Sequence, residues 1–142
     1  MKNKKNDLQK PNTNLAAEFF VASQLFRMGH NVTITLGHTK EIDLIISYPN
    51  GRNITIDVKG LKNKTNWPVN PKYNNKNHYY IFVCYLNKID KLEVTPEVFV
   101  VPSVQMGKVL SKWSKTTHVN VLAVDYKKIK NTVYKDAWRL IK

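Results

Sequence analysis

Apolar and polar residues alternate at period two on both sides of the tetrapeptide Pro49-Asn50-Gly51-Arg52: Ile42, Leu44 and Ile46 before it, Ile54, Ile56 and Val58 after it. Two such runs joined by turn-forming residues predict a β-hairpin that buries one face. This constrains the chain more than any other feature, because a one-residue slip would turn every apolar side chain outward. The loop length then decides which polar residues meet. An odd-length loop around Asn50 and Gly51 sets Asp43 opposite Asp57, whereas an even-length loop splits them across the two faces.

The rest of the chain fits around this hairpin. Asn12, Thr13 and Asn14 offer N-cap oxygens for a helix over 15–28 that Gly29 stops, and 32–36 alternates as a further strand. Residues 60–78 form a long, polar, Lys- and Asn-rich stretch with Pro68 and Pro71, of the kind that is functional or disordered in compact domains. The run 79–86 is apolar at every position, as expected of an internal strand covered on both faces. A strand at 97–101 follows, then a helix from Pro102 and Ser103 through 113 with Met106, Leu110 and Trp113 on one stripe. A short strand at 119–124 and a closing helical segment capped by Asp125 complete the order, with Tyr134, Trp138 and Ile141 as docking residues. The predicted class is α/β, a mixed β-sheet with a hairpin flanked by helices. A chain of 142 residues supports one core, so a single domain over 14–142 is expected behind a basic, disordered tail at 1–13.

Lys and Arg number 23 against 10 Asp and Glu, a formal charge of +13 that favours a polyanionic partner. Lys and Asn are enriched together, as an AT-rich coding sequence alone produces, so charge by itself is weak evidence. No apolar run approaches the ~20 residues of a membrane span. The lone Cys84 lies inside an apolar run, reads as a small buried hydrophobe and fits a reducing compartment. Residues 1–14 lack the apolar core of a secretory signal, which makes the cytoplasm the expected location.

Three acidic residues stand out. Stepping about 100° per residue along the first helix places Glu18 between Leu25 and Ala22, on the apolar face. A carboxylate there is costly unless protonated, hydrogen-bonded or paired, and an ordinary ion pair with a lysine satisfies it as well as any catalytic role. On the third strand Asp57 and Lys59 share the face opposite Ile56 and Val58. If Asp43 opposes Asp57, two like charges meet and a cation belongs beside them: the Lys59 ammonium or a divalent metal.

The ordered set Glu18 in LAAEFFVASQLFRMG, Asp43 in KEIDLII and Asp57-Val58-Lys59 in ITIDVKG, followed by YYIFVCYL and the segment around Met106, resembles the PD-(D/E)XK nuclease superfamily. That superfamily has the restriction-endonuclease-like fold and includes archaeal Holliday-junction resolvases and intron-type homing endonucleases. The resemblance implies a metal-dependent endonuclease hydrolysing phosphodiester bonds, with DNA the expected substrate. It implies Mg²⁺, with Mn²⁺ as a substitute, held by Asp43, Asp57 and the Val58 carbonyl. Glu18 would bind a second metal or an ordered water, and Lys59 would orient the attacking water and offset transition-state charge; the implied products are a 5′-phosphate and a 3′-hydroxyl. Ile42 stands where the motif has Pro. Glu41 shares the parity of Asp43, and we assign Asp43 as the ligand because its DLII context matches.

Trp67 and Tyr73 among Lys62, Lys64, Lys72 and Lys76 have the make-up of a nucleic-acid surface, and equally that of aromatics anchoring their own loop. His38 reads as an exposed loop residue, and Trp113 and Trp138 as core. The alternative to a nuclease is a non-cleaving nucleic-acid-binding module of the same fold, and a third reading is a basic α/β interaction protein whose acids are ordinary ion pairs. One active site per chain cutting two strands would favour a homodimer.

Overall fold

The computed structural model describes residues 11–36, 42–71, 75–113 and 121–142. Helix α1 spans Thr13–Arg27; the Asn12 side chain caps it by accepting from the Leu15 N–H at 3.1 Å, and Gly29, with φ +87°, turns the chain out of it. Strands follow in the order β1 (Val32–Ile34), β2 (Leu44–Ser47), β3 (Asn53–Leu61), β4 (Asn66–Pro68), β5 (His78–Cys84), β6 (Glu97–Pro102), β7 (Leu110–Trp113) and β8 (Val121–Asp125), and a short helix α2 covers Tyr126–Ile129.

Five strands make a mixed sheet in the order β1-β2-β3-β5-β6, antiparallel throughout except for β3 and β5, which run parallel. The other three form a small antiparallel sheet in the order β4-β8-β7. Because β5 lies between two strands and is covered on both faces, all seven of its residues are buried, as its unbroken apolar run predicts. Each of its fully buried aliphatic side chains contributes about 1.5–3 kcal/mol relative to exposure.

The hairpin has the odd register. Leu44 pairs with Ile56 and Ile46 with Ile54 across the three-residue loop Pro49-Asn50-Gly51. Tyr48 N–H donates to the Arg52 carbonyl at 2.9 Å, Gly51 N–H donates to the Tyr48 carbonyl at 3.0 Å, and Gly51 adopts φ +84°. That is the three-residue hairpin connection in which a left-handed third residue returns the chain to the ladder, a conformation that suits glycine.

The period-two alternation divides the core in two. Ile54, Ile56 and Val58 of β3 pack with Tyr79, Ile81 and Val83 of β5 against Ala17, Val21 and Leu25 of α1. On the reverse face Tyr80, Phe82, Phe99 and Val101 pack against Trp67, Val124 and Tyr126 of the small sheet and α2. Helix α1 crosses closest at Gly60, where an added Cβ would lie 2.6 Å from the Thr13 carbonyl oxygen; Gly60 N–H donates to Asn14 Oδ1 at 2.9 Å.

Two sequence expectations are corrected. The helix expected through 113 is a 3₁₀ turn over Ser103–Lys108, after which Leu110–Trp113 pairs with β8 instead. The stripe of Met106, Leu110 and Trp113 fits helical spacing, but Gly107 weakens a helix there and the strand partner lies later in the chain. The closing helical segment is likewise shorter. Asp125 does cap it, accepting from Lys127 N–H at 2.9 Å, but α2 ends at Ile129 and only a 3₁₀ turn at Trp138–Leu140 follows. Tyr134 and Ile141 are buried as expected, Trp138 is half-buried against the α1-side core, and Cys84 is buried. Thr13, placed in the tail by sequence, is the first residue of α1; residues 1–10 lie outside the described residues. No described helix is long and apolar enough to cross a membrane.

Candidate active site

The chain leaves the regular β2–β3 ladder at Asp43, immediately before the first paired residue, Leu44. Its backbone is nevertheless fixed on both sides. Asp43 N–H donates to the Ile56 carbonyl at 2.9 Å, and its own carbonyl accepts from Thr35 N–H at 2.9 Å and Thr35 Oγ1 at 3.0 Å. Thr35 Oγ1 also donates to the Ile42 carbonyl. The carboxylate is thereby turned onto β3, where Oδ2 accepts from the Val58 N–H at 2.7 Å, and Asp43 is only 7 % exposed. A side chain thus occupies the position that a β2 carbonyl would hold if the ladder continued. The N–H and C=O of one strand residue point to the same edge, so the Val58 carbonyl emerges beside Asp43.

Asp57 meets Asp43 here, as the odd register predicts, and Asp43 adds to the rise of the Asp57 carboxyl. Lys59 Nζ lies 3.1 Å from Asp57 Oδ1, and the two side chains are 35 % and 16 % exposed. Burial, the largest influence, raises the Asp57 carboxyl from 3.8 to about 7; the Lys59 charge pulls against that rise, and the neighbouring Asp43 adds to it.

Glu18 is buried on α1, where the helical-wheel argument places it. Helix α1 packs on the Ile56 and Val58 face of β3, whereas Asp57 and Lys59 belong by alternation to the reverse face. Among the described residues no group of three or more His, Cys, Asp and Glu side chains is placed to hold a metal ion. The close group is two aspartates, a lysine and the adjoining backbone. Its oxygens are hard donors of the kind Mg²⁺ prefers.

Trp67 is also corrected as a base-stacking residue. It is 2 % exposed, its ring lies 5.3 Å from Phe82 and 6.1 Å from Phe99 between centroids, and Nε1 donates to the Val83 carbonyl at 3.4 Å. The indole anchors β4 to the main sheet. Lys62, Lys64 and Lys76 are exposed. Glu41, His38, Lys72 and Tyr73 lie outside the described residues, as do the side-chain surroundings of Trp113.

Sequence reasoning missed two residues near the aspartates. Thr35, which holds the Asp43 backbone, was legible only as a polar position of an alternating strand. His78 is fully buried on the Asp57 face of the sheet, in register with Thr55; its Nδ1 lies 2.7 Å from Thr55 Oγ1. Burial lowers the imidazole from 6.5 to about 4, so it is neutral at physiological pH.

No protein-family model matches the chain, and no curated protein matches it. A solved structure of similar fold is that of a bacterial homing endonuclease, I-Ssp6803I; the match covers 91 % of this chain and 88 % of that one, with a TM-score of 0.52 and 16 % sequence identity. At that identity the likeness is one of fold.

Proposed function

We propose that this mixed α/β chain is a divalent-metal-dependent endonuclease of the PD-(D/E)XK kind, hydrolysing phosphodiester bonds in DNA, with residues 14–142 acting as one catalytic domain. One observation carries the reading: Asp57 beside Asp43, with the Lys59 ammonium 3.1 Å from Asp57, at the point where β2 leaves β3. Its setting on a fold shared with a homing endonuclease adds support.

Asp43, Asp57 and the Val58 carbonyl would hold Mg²⁺ or Mn²⁺, and Glu18, buried on α1, would bind a second ion or an ordered water. The bound ion supplies Lewis-acid polarisation of a phosphate oxygen and a lower pKa for water. The chain's own residues do the rest. Asp57 would serve as a ligand only in its ionised form, so holding such an ion would require it to release its proton. Asp43, fixed by Val58 N–H and Thr35, keeps the donor set in place without reorganisation. Lys59, the most exposed member, faces the substrate side and directs its ammonium at the attacking water and at the charge growing on the phosphate.

The test is a labelled duplex incubated with Mg²⁺ or Mn²⁺. Nicking that EDTA stops is expected, and Lys59→Ala should reduce cutting at least 100-fold while DNA binding persists (on the order of the loss when one transition-state donor is removed). Full cutting by Lys59→Ala refutes the mechanism. Salt-sensitive binding without cutting under any metal makes the chain a binding module instead.

A further inference from the structure

The small sheet gathers lysines at one end. Strand β4 pairs with β8 so that Asn66 opposes Asp125, and the ladder continues one step further through the Tyr126 N–H bond to the Thr65 carbonyl at 3.0 Å. The ladder ends there, because Tyr126 opens α2, and Lys64 and Lys127 flank this last bond on either side. Across β8, Leu110 of β7 opposes Val124, which brings Lys108 to the same end of the sheet. Lys128 reaches back over this end, its Nζ 3.3 Å from Ser111 Oγ. Lys62 lies at the start of the turn into β4, directly after β3.

All five lysines are exposed, and among the described residues none forms an ion pair. The segments 62–66, 107–112 and 121–130 contain one acid, Asp125, whose carboxylate is engaged by the Lys127 N–H. Five ammonium groups gathered at one end of the sheet make a positive patch that the single Asp125 carboxylate offsets only in part, and an external anion would offset the rest. The rim also adjoins the proposed site: only Gly60 and Leu61 of β3 lie between Lys59 and Lys62, roughly 10 Å of extended chain.

We propose that Lys62, Lys64, Lys108, Lys127 and Lys128 form a docking rim for the phosphate backbone of duplex DNA, outside the candidate active site and beyond the β3–β4 lysines singled out from sequence. This rests on the nucleic-acid reading above. The contacts are ammonium to phosphate, so the rim adds affinity and orientation without reading bases. The small sheet, anchored by the buried Trp67, is its rigid support.

The experiment measures affinity for a fluorescein-labelled 30-base-pair duplex in EDTA across a KCl series, for the wild-type chain and for Lys64→Gln/Lys108→Gln/Lys127→Gln/Lys128→Gln. Each lost phosphate contact lowers the slope of log K against log salt by about 0.9. A drop of about 2 to 4 is expected for the four substitutions, with at least a tenfold loss of affinity at 100 mM KCl. The corresponding four Lys→Arg changes should keep the wild-type slope. An unchanged slope in the Gln variant overturns the proposal, as does an equal loss in the Arg variant, which would mark a structural role. Binding in EDTA and cutting in Mg²⁺ are separate readings, so failure of the nuclease mechanism and failure of the rim are told apart.

Discussion

Replacing Asp57 by Asn should stabilise the metal-free protein, and increasingly so as the pH rises. Unfolded, the Asp57 carboxyl ionises near 3.8; folded, burial and the neighbouring Asp43 hold its proton to about 7. Between those values the folded state binds a proton that the unfolded state does not. Asp57 therefore contributes stability that is complete below 3.8 and is lost as the pH rises through about 7. At about 1.4 kcal/mol per pH unit the ceiling is roughly 4 kcal/mol over the whole window, and about 3 kcal/mol between pH 5 and pH 8. Asn copies the protonated form and has no proton to lose. His78 acts with the opposite sign: its folded value of about 4 lies below 6.5, so its stabilisation is present above 6.5 and is lost as the pH falls towards 4. It would mask the effect in wild-type data alone, but cancels in the difference between two proteins that both contain it. Urea unfolding of both in EDTA at pH 5 and pH 8 should show the Asn variant's advantage growing by about 2–3 kcal/mol. A pH-independent difference would refute the claim that the folded chain holds Asp57 protonated.

Two further substitutions test the supports of the site. Gly60→Ala forces a methyl group to within 2.6 Å of the Thr13 carbonyl and 3.2 Å of the Ala17 Cβ, so α1 must shift; a loss of about 1–3 kcal/mol is expected, and an unmoved urea midpoint would contradict this packing. Trp67→Ala should cost about 3–5 kcal/mol as a core truncation, and an unmoved urea midpoint would contradict its role as the anchor of the small sheet.

The hairpin and the burial of Glu18 could be read in advance because each follows from local periodicity, two apolar runs about a turn and one acid on the apolar arc of a helix, whereas the loop length that sets the register stayed open between odd and even. What could not be read depends on how separate elements dock. The wheel shows that Glu18 turns inward but not which face of the sheet α1 covers, so its distance from Asp57 was beyond reach. Trp67 sits in a stretch whose Pro, Asn and Lys content reads as loop; its burial arises from β4 pairing with β8, more than fifty residues later. The stripe of Met106, Leu110 and Trp113 satisfied helical spacing by coincidence, and only pairing with β8 decides for a strand. The lysine rim was hidden for the same reason, since its members come from three segments that meet only in the small sheet.

The bond from Val58 N–H to Asp43 Oδ2 restricts what mutagenesis can reveal at that position. This aspartate is a strut as well as a donor: truncating it would orphan a buried amide and unpin the seam between two strands before any chemistry were affected. An inactive Asp43→Ala protein would thus say little about its part in a reaction. Lys59, the more exposed of its two neighbours, whose side chain braces no backbone amide among the described residues, offers the cleaner dissection of catalysis from architecture.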